Sequence, residues 1–223
     1  MTAEPFPGVE LETAPNPTAS VIWLHGLGAD GNDFVPIVPE LGLPGSLPTR
    51  FVFPHAPMRA VTINNGMRMR AWYDITGADL SRRADMAGVR QSQAQLEALI
   101  EREGARGIRP ERIVLAGFSQ GGAIALYAGL RHSERLAGIM ALSTYLIAPD
   151  LLAAEASGAN RAVPIFMAHG SADPVVRLDW AQASRSALEA AGYAVEWHGY
   201  AMQHSVCLEE VQAIGAWLRR LLS

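Results

Sequence analysis

The sequence predicts an α/β fold with a mostly parallel central sheet and helices on both faces. Short branched or apolar runs alternate with stretches of 10 to 20 residues at helical spacing, the pattern of repeated strand-helix-strand units. One of these transitions, Ile113-Val-Leu-Ala-Gly-Phe-Ser119-Gln-Gly-Gly122, reads as a buried strand, a sharp turn and a helix continuing through Leu130. In open sheets of this class the loops at the carboxyl ends of the strands carry the chemistry.

The proline-rich, polar amino terminus contains one candidate edge strand, Val9 to Thr13. Ser20 to Leu24 is a stronger strand and runs into a glycine-rich loop, His25 to Asp33, followed by a predicted helix from Asp33 to Leu41. Thr49 to Phe53 is the next strand. From Pro54 to Arg83 turn signals at Pro57, Asn64-Asn65-Gly66 and Gly77 mix with methionines and aromatics. That mixture reads as a wall over a pocket, or as a surface hairpin packed on the body. Ala84 to Glu103 has an amphipathic helical pattern, with Val89, Leu96, Leu99 and Ile100 on one side. After the central strand and helix, Leu136 to Leu142 is a buried strand, Leu146 to Arg161 is helical or irregular, and Pro164 to Ala168 is another strand. A helix from Arg177 to Ala191 stops at Gly192. Ala194 to Tyr200 is the last strand, and a helix over Ser205 to Leu222 closes the chain with Val206, Val211, Ile214, Trp217, Leu218 and Leu221 inward.

Composition narrows the function classes. With 223 residues, 49% of them hydrophobic, the chain suits a single domain over residues 1–223. A net charge of −4 without a basic cluster leaves no electrostatic footprint for nucleic acid. The lone cysteine, Cys207, excludes an internal disulfide and a cysteine-rich metal site, in keeping with a reducing compartment. There is no leader-like amino terminus and no apolar run long enough to span a bilayer, so the expectation is a cytoplasmic protein without membrane insertion.

Gly117 to Gly121 match G-x-S-x-G, which puts Ser119 on a strained turn above the sheet, with the amides opening the next helix facing the same space. A side chain at Gly117 or Gly121 would collide with the neighbouring strand or helix. Serine is a weak nucleophile alone and needs a base, an acid that orients the base, and amide donors for the oxyanion. Asp173 follows the strand ending in His169-Gly170, and His204 follows the strand ending at Tyr200. Both lie on the predicted catalytic edge, and the order Ser, Asp, His is the one expected after such an elbow. The N–H of Gln120 supplies one oxyanion donor. The loop His25-Gly26-Leu27-Gly28 supplies the second, assigned to Leu27 ahead of Gly28.

Leu24-His25-Gly26-Leu27-Gly28, Phe53-Pro54-His55-Ala56-Pro57, Trp72-Tyr73-Asp74, Gly117-Phe118-Ser119-Gln120-Gly121-Gly122, His169-Gly170 with Asp173, and His204-Ser205-Val206-Cys207 resemble the carboxylesterase, lysophospholipase and acyl-protein thioesterase family. The resemblance spans about residue 8 to 220. It implies a compact α/β-hydrolase without a large cap, no cofactor, monomers or homodimers, and hydrolysis of a small-molecule carboxylic ester or thioester. It also implies the roles already assigned to Ser119, Asp173, His204, Leu27 and Gln120. Trp72, Tyr145, Leu146 and Val176 are expected to line the acyl groove, by position and by resemblance. Gln203, Leu208 and the run Thr144-Tyr145-Leu146-Ile147 depart from the family's usual residues beside the site, so acyl preference is where this chain is least typical. Esters of short to medium acyl chains are the first expectation, and long-chain thioesters or lysophospholipids the alternative.

Competing readings have less to rest on. Gly26-x-Gly28-x-x-Gly31 matches a dinucleotide fingerprint, yet no Asp or Glu lies between Glu40 and Asp74 to hold a ribose hydroxyl. No histidine pair has metal spacing with a carboxylate beside it, so no metal is expected. His25, His55 and His169 read as loop-fixing, His132 and His198 as surface residues, Cys207 as a small buried hydrophobe, and Asp74 and Asp79 as solvated or loop-orienting. A binding protein that kept only the fold would be expected to have lost at least one of the five site elements, and none is missing.

Overall fold

The computed structural model describes residues 7–77 and 85–223. In chain order the strands and helices are β1 (Gly8–Glu12), β2 (Ala19–Leu24), β3 (Thr49–Pro54), β4 (Met58–Val61), β5 (Met67–Arg70), α1 (Met86–Ala105), β6 (Ile113–Phe118), α2 (Gln120–Arg131), β7 (Gly138–Leu142), α3 (Leu152–Glu155), β8 (Ile165–Gly170), α4 (Leu178–Ala190), β9 (Val195–Tyr200) and α5 (Leu208–Leu222). Seven strands form one sheet in the order β1-β3-β2-β6-β7-β8-β9, parallel throughout except for β1, and β4 and β5 form a separate antiparallel hairpin.

The continuous apolar character of β2, β6, β7 and β8 follows from coverage on both faces. Alternate residues of a strand point to opposite sides, so Ile22, Ile113, Leu115, Ile139 and Ala141 pack with α1, α2 and α4 in one core. Val21, Trp23, Val114, Met140 and Leu142 pack in the other, against Val211, Ile214, Trp217 and Leu218 of α5. Register aligns the loops that matter. Leu24 pairs with Gly117, Phe118 with Leu142, and Gly170 with Tyr200, which brings the carboxyl ends of β2, β6, β8 and β9 to one edge.

Several expected elements take a different form. The helix expected over Asp33 to Leu41 is two 3₁₀ turns, Val35–Ile37 and Pro39–Leu41, because Pro39 lacks an N–H and its ring would clash with the preceding turn of an α-helix. Within the stretch expected to be irregular, Pro54 to Arg83, the hairpin β4–β5 turns at Asn65 and Gly66, both at positive φ. Residues 78–83 of that stretch, and Asp79 with them, lie outside the described residues. Leu146 to Arg161 is mixed: 3₁₀ turns at Pro149–Leu151 and Gly158–Asn160 flank the single-turn α3. The closing helix starts at Leu208 rather than Ser205, with Cys207 at its N-cap. His132 is buried rather than at the surface, and Cys207 is half-exposed rather than buried. No helix among the described residues is long and apolar enough to cross a membrane.

Candidate active site

Ser119 sits between β6 and α2 at φ 54° and ψ −121°, a conformation costly for a residue with a side chain and recurrent at functional turns. The neighbouring contacts hold it there. Its N–H donates to Leu142 O at 2.8 Å, and its own carbonyl accepts from Thr144 Oγ1 at 2.6 Å. A Cβ on Gly117 would lie 2.3 Å from the Gly121 carbonyl carbon, and one on Gly121 would lie 2.4 Å from Leu24 O. Only hydrogen fits where the turn crosses the end of β2.

Asp173 lies in the turn after β8, its carboxylate buried. Oδ1 accepts from the N–H groups of Val175 and Val176 at 2.8 and 2.9 Å, and Oδ2 meets His204 Nδ1 at 2.6 Å. That contact sets Nδ1 as the protonated nitrogen and leaves Nε2 free to act as a base. The His204 ring packs on Phe118, the residue before Ser119, with centroids 4.7 Å apart. The loop carrying His204 approaches β8 closely: a Cβ on Gly170 would stand 2.3 Å from Gln203 O and 2.4 Å from Met202 O. His169 also approaches Asp173 Oδ2, at 3.5 Å, but burial lowers its pKa and its Nε2–H donates to Val176 O at 2.8 Å, so it fixes the loop as a neutral ring.

The loop after β2 is fixed from beneath. His25 Nε2 accepts from the Ala56 N–H at 3.1 Å, so its Nδ1–H donates to Gly26 O at 2.7 Å, and burial holds the imidazole down to about 4. His55 accepts from the Gly31 N–H. Asp74 accepts from both the N–H and the hydroxyl of Thr62, the loop-orienting alternative among its expected roles. The Gly28 N–H donates to Arg70 O at 2.9 Å and is thereby occupied.

Leu27, Ser119, Gln120, Tyr145 and Val176 are brought together around one cavity of about 220 Å³, which Ile63, Asn64, Ile75 and Val175 complete. No local signal marks these last four: Ile63, Asn64 and Ile75 depend on how the segment 61–77 folds over the sheet edge, and Val175 on the turn that the Asp173 carboxylate closes. Trp72 is elsewhere. It is 1% exposed, its Nε1–H donates to His25 O at 2.9 Å, and its carbonyl accepts from Ser92 Oγ. The Gln120 side chain is a second feature that spacing could not disclose: it accepts from the Trp72 N–H and donates to Tyr73 O, both at 2.8 Å, tying the loop to the elbow. Leu146 faces a neighbouring cavity, and its N–H donates to Ser184 Oγ. Among the described residues no three His, Cys, Asp or Glu side chains gather as a metal site.

Geometry of this kind invites comparison with known hydrolases. The family model described as Phospholipase/Carboxylesterase matches residues 9–222. The chain belongs to this family. Its relatives include acyl-protein thioesterase 1 of Neurospora crassa, 44% identical over 92% of this chain and 87% of the relative, and acyl-protein thioesterase 1 of Yarrowia lipolytica, 38% identical over 96% of both. Among solved structures, Arabidopsis thaliana SOBER1 superposes with a TM-score of 0.84 at 31% identity, over 92% of this chain and 99% of that one. Zea mays acyl-protein thioesterase 2 does so with a TM-score of 0.82 at 29% identity, over 97% of this chain and 100% of that one. Family membership and these likenesses make the chain an α/β-hydrolase and an esterase-type hydrolase.

Proposed function

We propose that this chain is a serine hydrolase that cleaves acyl thioesters, and esters with them, through an acyl-enzyme. The observation that carries the reading is the 2.6 Å contact of His204 Nδ1 with Asp173, whose other oxygen is held by two amides, on the edge where Ser119 is strained outward. In this scheme Ser119 Oγ attacks the acyl carbonyl while His204 Nε2 takes its proton. The oxyanion accepts from the N–H groups of Leu27 and Gln120. Collapse expels the thiol or alcohol, which leaves with the proton from His204. Water then attacks the acyl-enzyme with His204 taking its proton, the bond to Ser119 Oγ breaks, and the carboxylic acid leaves as His204 returns the proton to Ser119.

Thioester cleavage is favoured by the names of the relatives, acyl-protein thioesterases at up to 44% identity. A second reading, esters of short to medium acyl chains, is favoured by the room beside Ser119. The cavity of about 220 Å³ is only moderately larger than the roughly 150 Å³ cavity that admits benzene.

A fluorophosphonate probe is expected to label Ser119. Ser119→Ala is expected to abolish labelling and to lower kcat/KM by about 10⁴-fold or more, as loss of such a nucleophile does elsewhere. Turnover retained in that variant would sink the mechanism. Matched butyryl thioester and oxygen ester, together with an S-palmitoyl peptide, separate the two substrate readings: rapid turnover of p-nitrophenyl butyrate with none of the peptide would make the short-chain ester reading the better one.

A further inference from the structure

Two cavities meet at one residue. The cavity at Ser119 is followed by a second, of about 110 Å³, between α4 and residues 145–149, walled by Leu146, Pro149, Trp180, Ala183 and Ala187 with Ser184. Tyr145 belongs to both walls. It is held from two sides. Its hydroxyl meets the hydroxyl of Tyr73 at 2.5 Å in the core, and Tyr73 is itself tied to the elbow through Gln120. On the other side the next residue's N–H donates to Ser184 Oγ, which donates in turn to Trp180 O at 2.7 Å. Burial pushes both phenols up, Tyr145 to about 12, so the clasp is between two neutral hydroxyls.

We propose that Tyr145 is a partition that sets the length of the acyl chain: with its ring clasped to Tyr73 the acyl site ends in the first cavity, and with the ring displaced the two cavities join and the chain extends toward Trp180. The proposal rests on the reading of Ser119 as nucleophile and adds which residue divides short acyl groups from long ones. The walls of both cavities supply mainly hydrocarbon, so what enters the second is more acyl chain rather than a polar leaving group. The clasp also fits its role in strength. A neutral hydrogen bond is worth about fivefold net, which the burial of one or two further methylenes offsets.

The test is a chain-length series of p-nitrophenyl esters from acetate to palmitate, read as kcat/KM, with fluorophosphonate labelling of Ser119 beside it. Tyr145→Ala is expected to raise the ratio of laurate to butyrate by about tenfold or more, since each further buried methylene is worth about fourfold. Ala187→Leu, which fills the second cavity, is expected to cancel most of that gain when added to Tyr145→Ala. Tyr73→Phe keeps the core ring and removes only the clasp, and is expected to move the ratio the same way by about fivefold, in line with one neutral hydrogen bond. It also serves if Tyr145→Ala does not fold. An unchanged ratio in Tyr73→Phe and Tyr145→Ala, or a gain that survives Ala187→Leu undiminished, overturns the partition. Wild-type protein in which the probe does not label Ser119 would bring down the hydrolase reading and the partition together, whereas intact labelling with unchanged ratios brings down the partition alone.

Discussion

Single residues here show how burial sets chemistry. Glu210, in the first turn of α5, is 0% exposed, and burial pushes its carboxyl up to about 8, with the Cys207 backbone opposing only in part. Between the ordinary carboxyl value and about 8 the folded chain keeps a proton that the unfolded chain has released. Folding stability therefore falls as pH rises through that window and levels off above it. Glu210→Gln cannot ionise, so it is expected to be more stable than the wild type at about pH 8, by on the order of 3 kcal/mol. Urea unfolding of both proteins at about pH 6 and pH 9 checks this, and a constant difference between them would refute it. The same logic in the opposite direction keeps His25 and His169 neutral, which suits residues that hold loops through a fixed tautomer.

Elements, in turn, fix how well the proposed site is assembled. The proposed base, His204, stands on the loop 201–207, which rests on the end of β8 where Gly170 has no side chain. Gly170→Ala would push Met202 and Gln203 outward and carry His204 with them, although it removes none of the reacting groups. A displacement of about 1 Å in such a site costs about 100-fold in rate. The expected result is a drop in kcat/KM of that order and slower fluorophosphonate labelling, with the far-ultraviolet circular dichroism unchanged. Kinetics within twofold of wild type would show that the loop does not lean on β8. The hairpin β4–β5 plays the matching part on the opposite side, since its Arg70 carbonyl takes up the Gly28 N–H and its connecting residues 63 and 64 wall the cavity.

Across the whole molecule, a chain of ion pairs links the amino-terminal edge of the sheet to the end of α1. Arg50 on β3 donates to Glu12 on β1 and to the fully buried Glu103 on α1, each at 2.9 Å, and Arg106 reaches Glu103 and Glu10. Removing one partner of a buried pair leaves the other desolvated, which costs more than the pair contributes. Arg50→Ala is expected to destabilise the fold by about 3 kcal/mol, at the low end of such losses because Arg106 still meets Glu103. Chemical denaturation measures it, and a loss below about 1 kcal/mol would mean that Arg106 and Arg102 together compensate Glu103.

Local patterns were sufficient for much of this. The order of strands and helices, the elbow at Ser119 and the sequence of Ser119, Asp173 and His204 are legible because side-chain periodicity, glycine in a crowded turn and the rule that chemistry collects at strand ends are properties of short segments. The break at 33–41 is local as well: Pro36 and Pro39, at the starts of two 3₁₀ turns, interrupt the α-helix that the apolar spacing predicts there. Contacts between distant segments were not legible. Trp72 reads like a pocket wall and is buried behind His25. Gln120 reads as a backbone donor and also clamps Trp72 and Tyr73 across 48 and 47 positions. Tyr145 reads as one wall of a groove, and only its meeting with Tyr73, 72 residues away, makes it common to two cavities. Periodicity records which face of an element is covered, whereas the identity of what covers it is settled by packing, when segments without mutual sequence signal compete for the same volume.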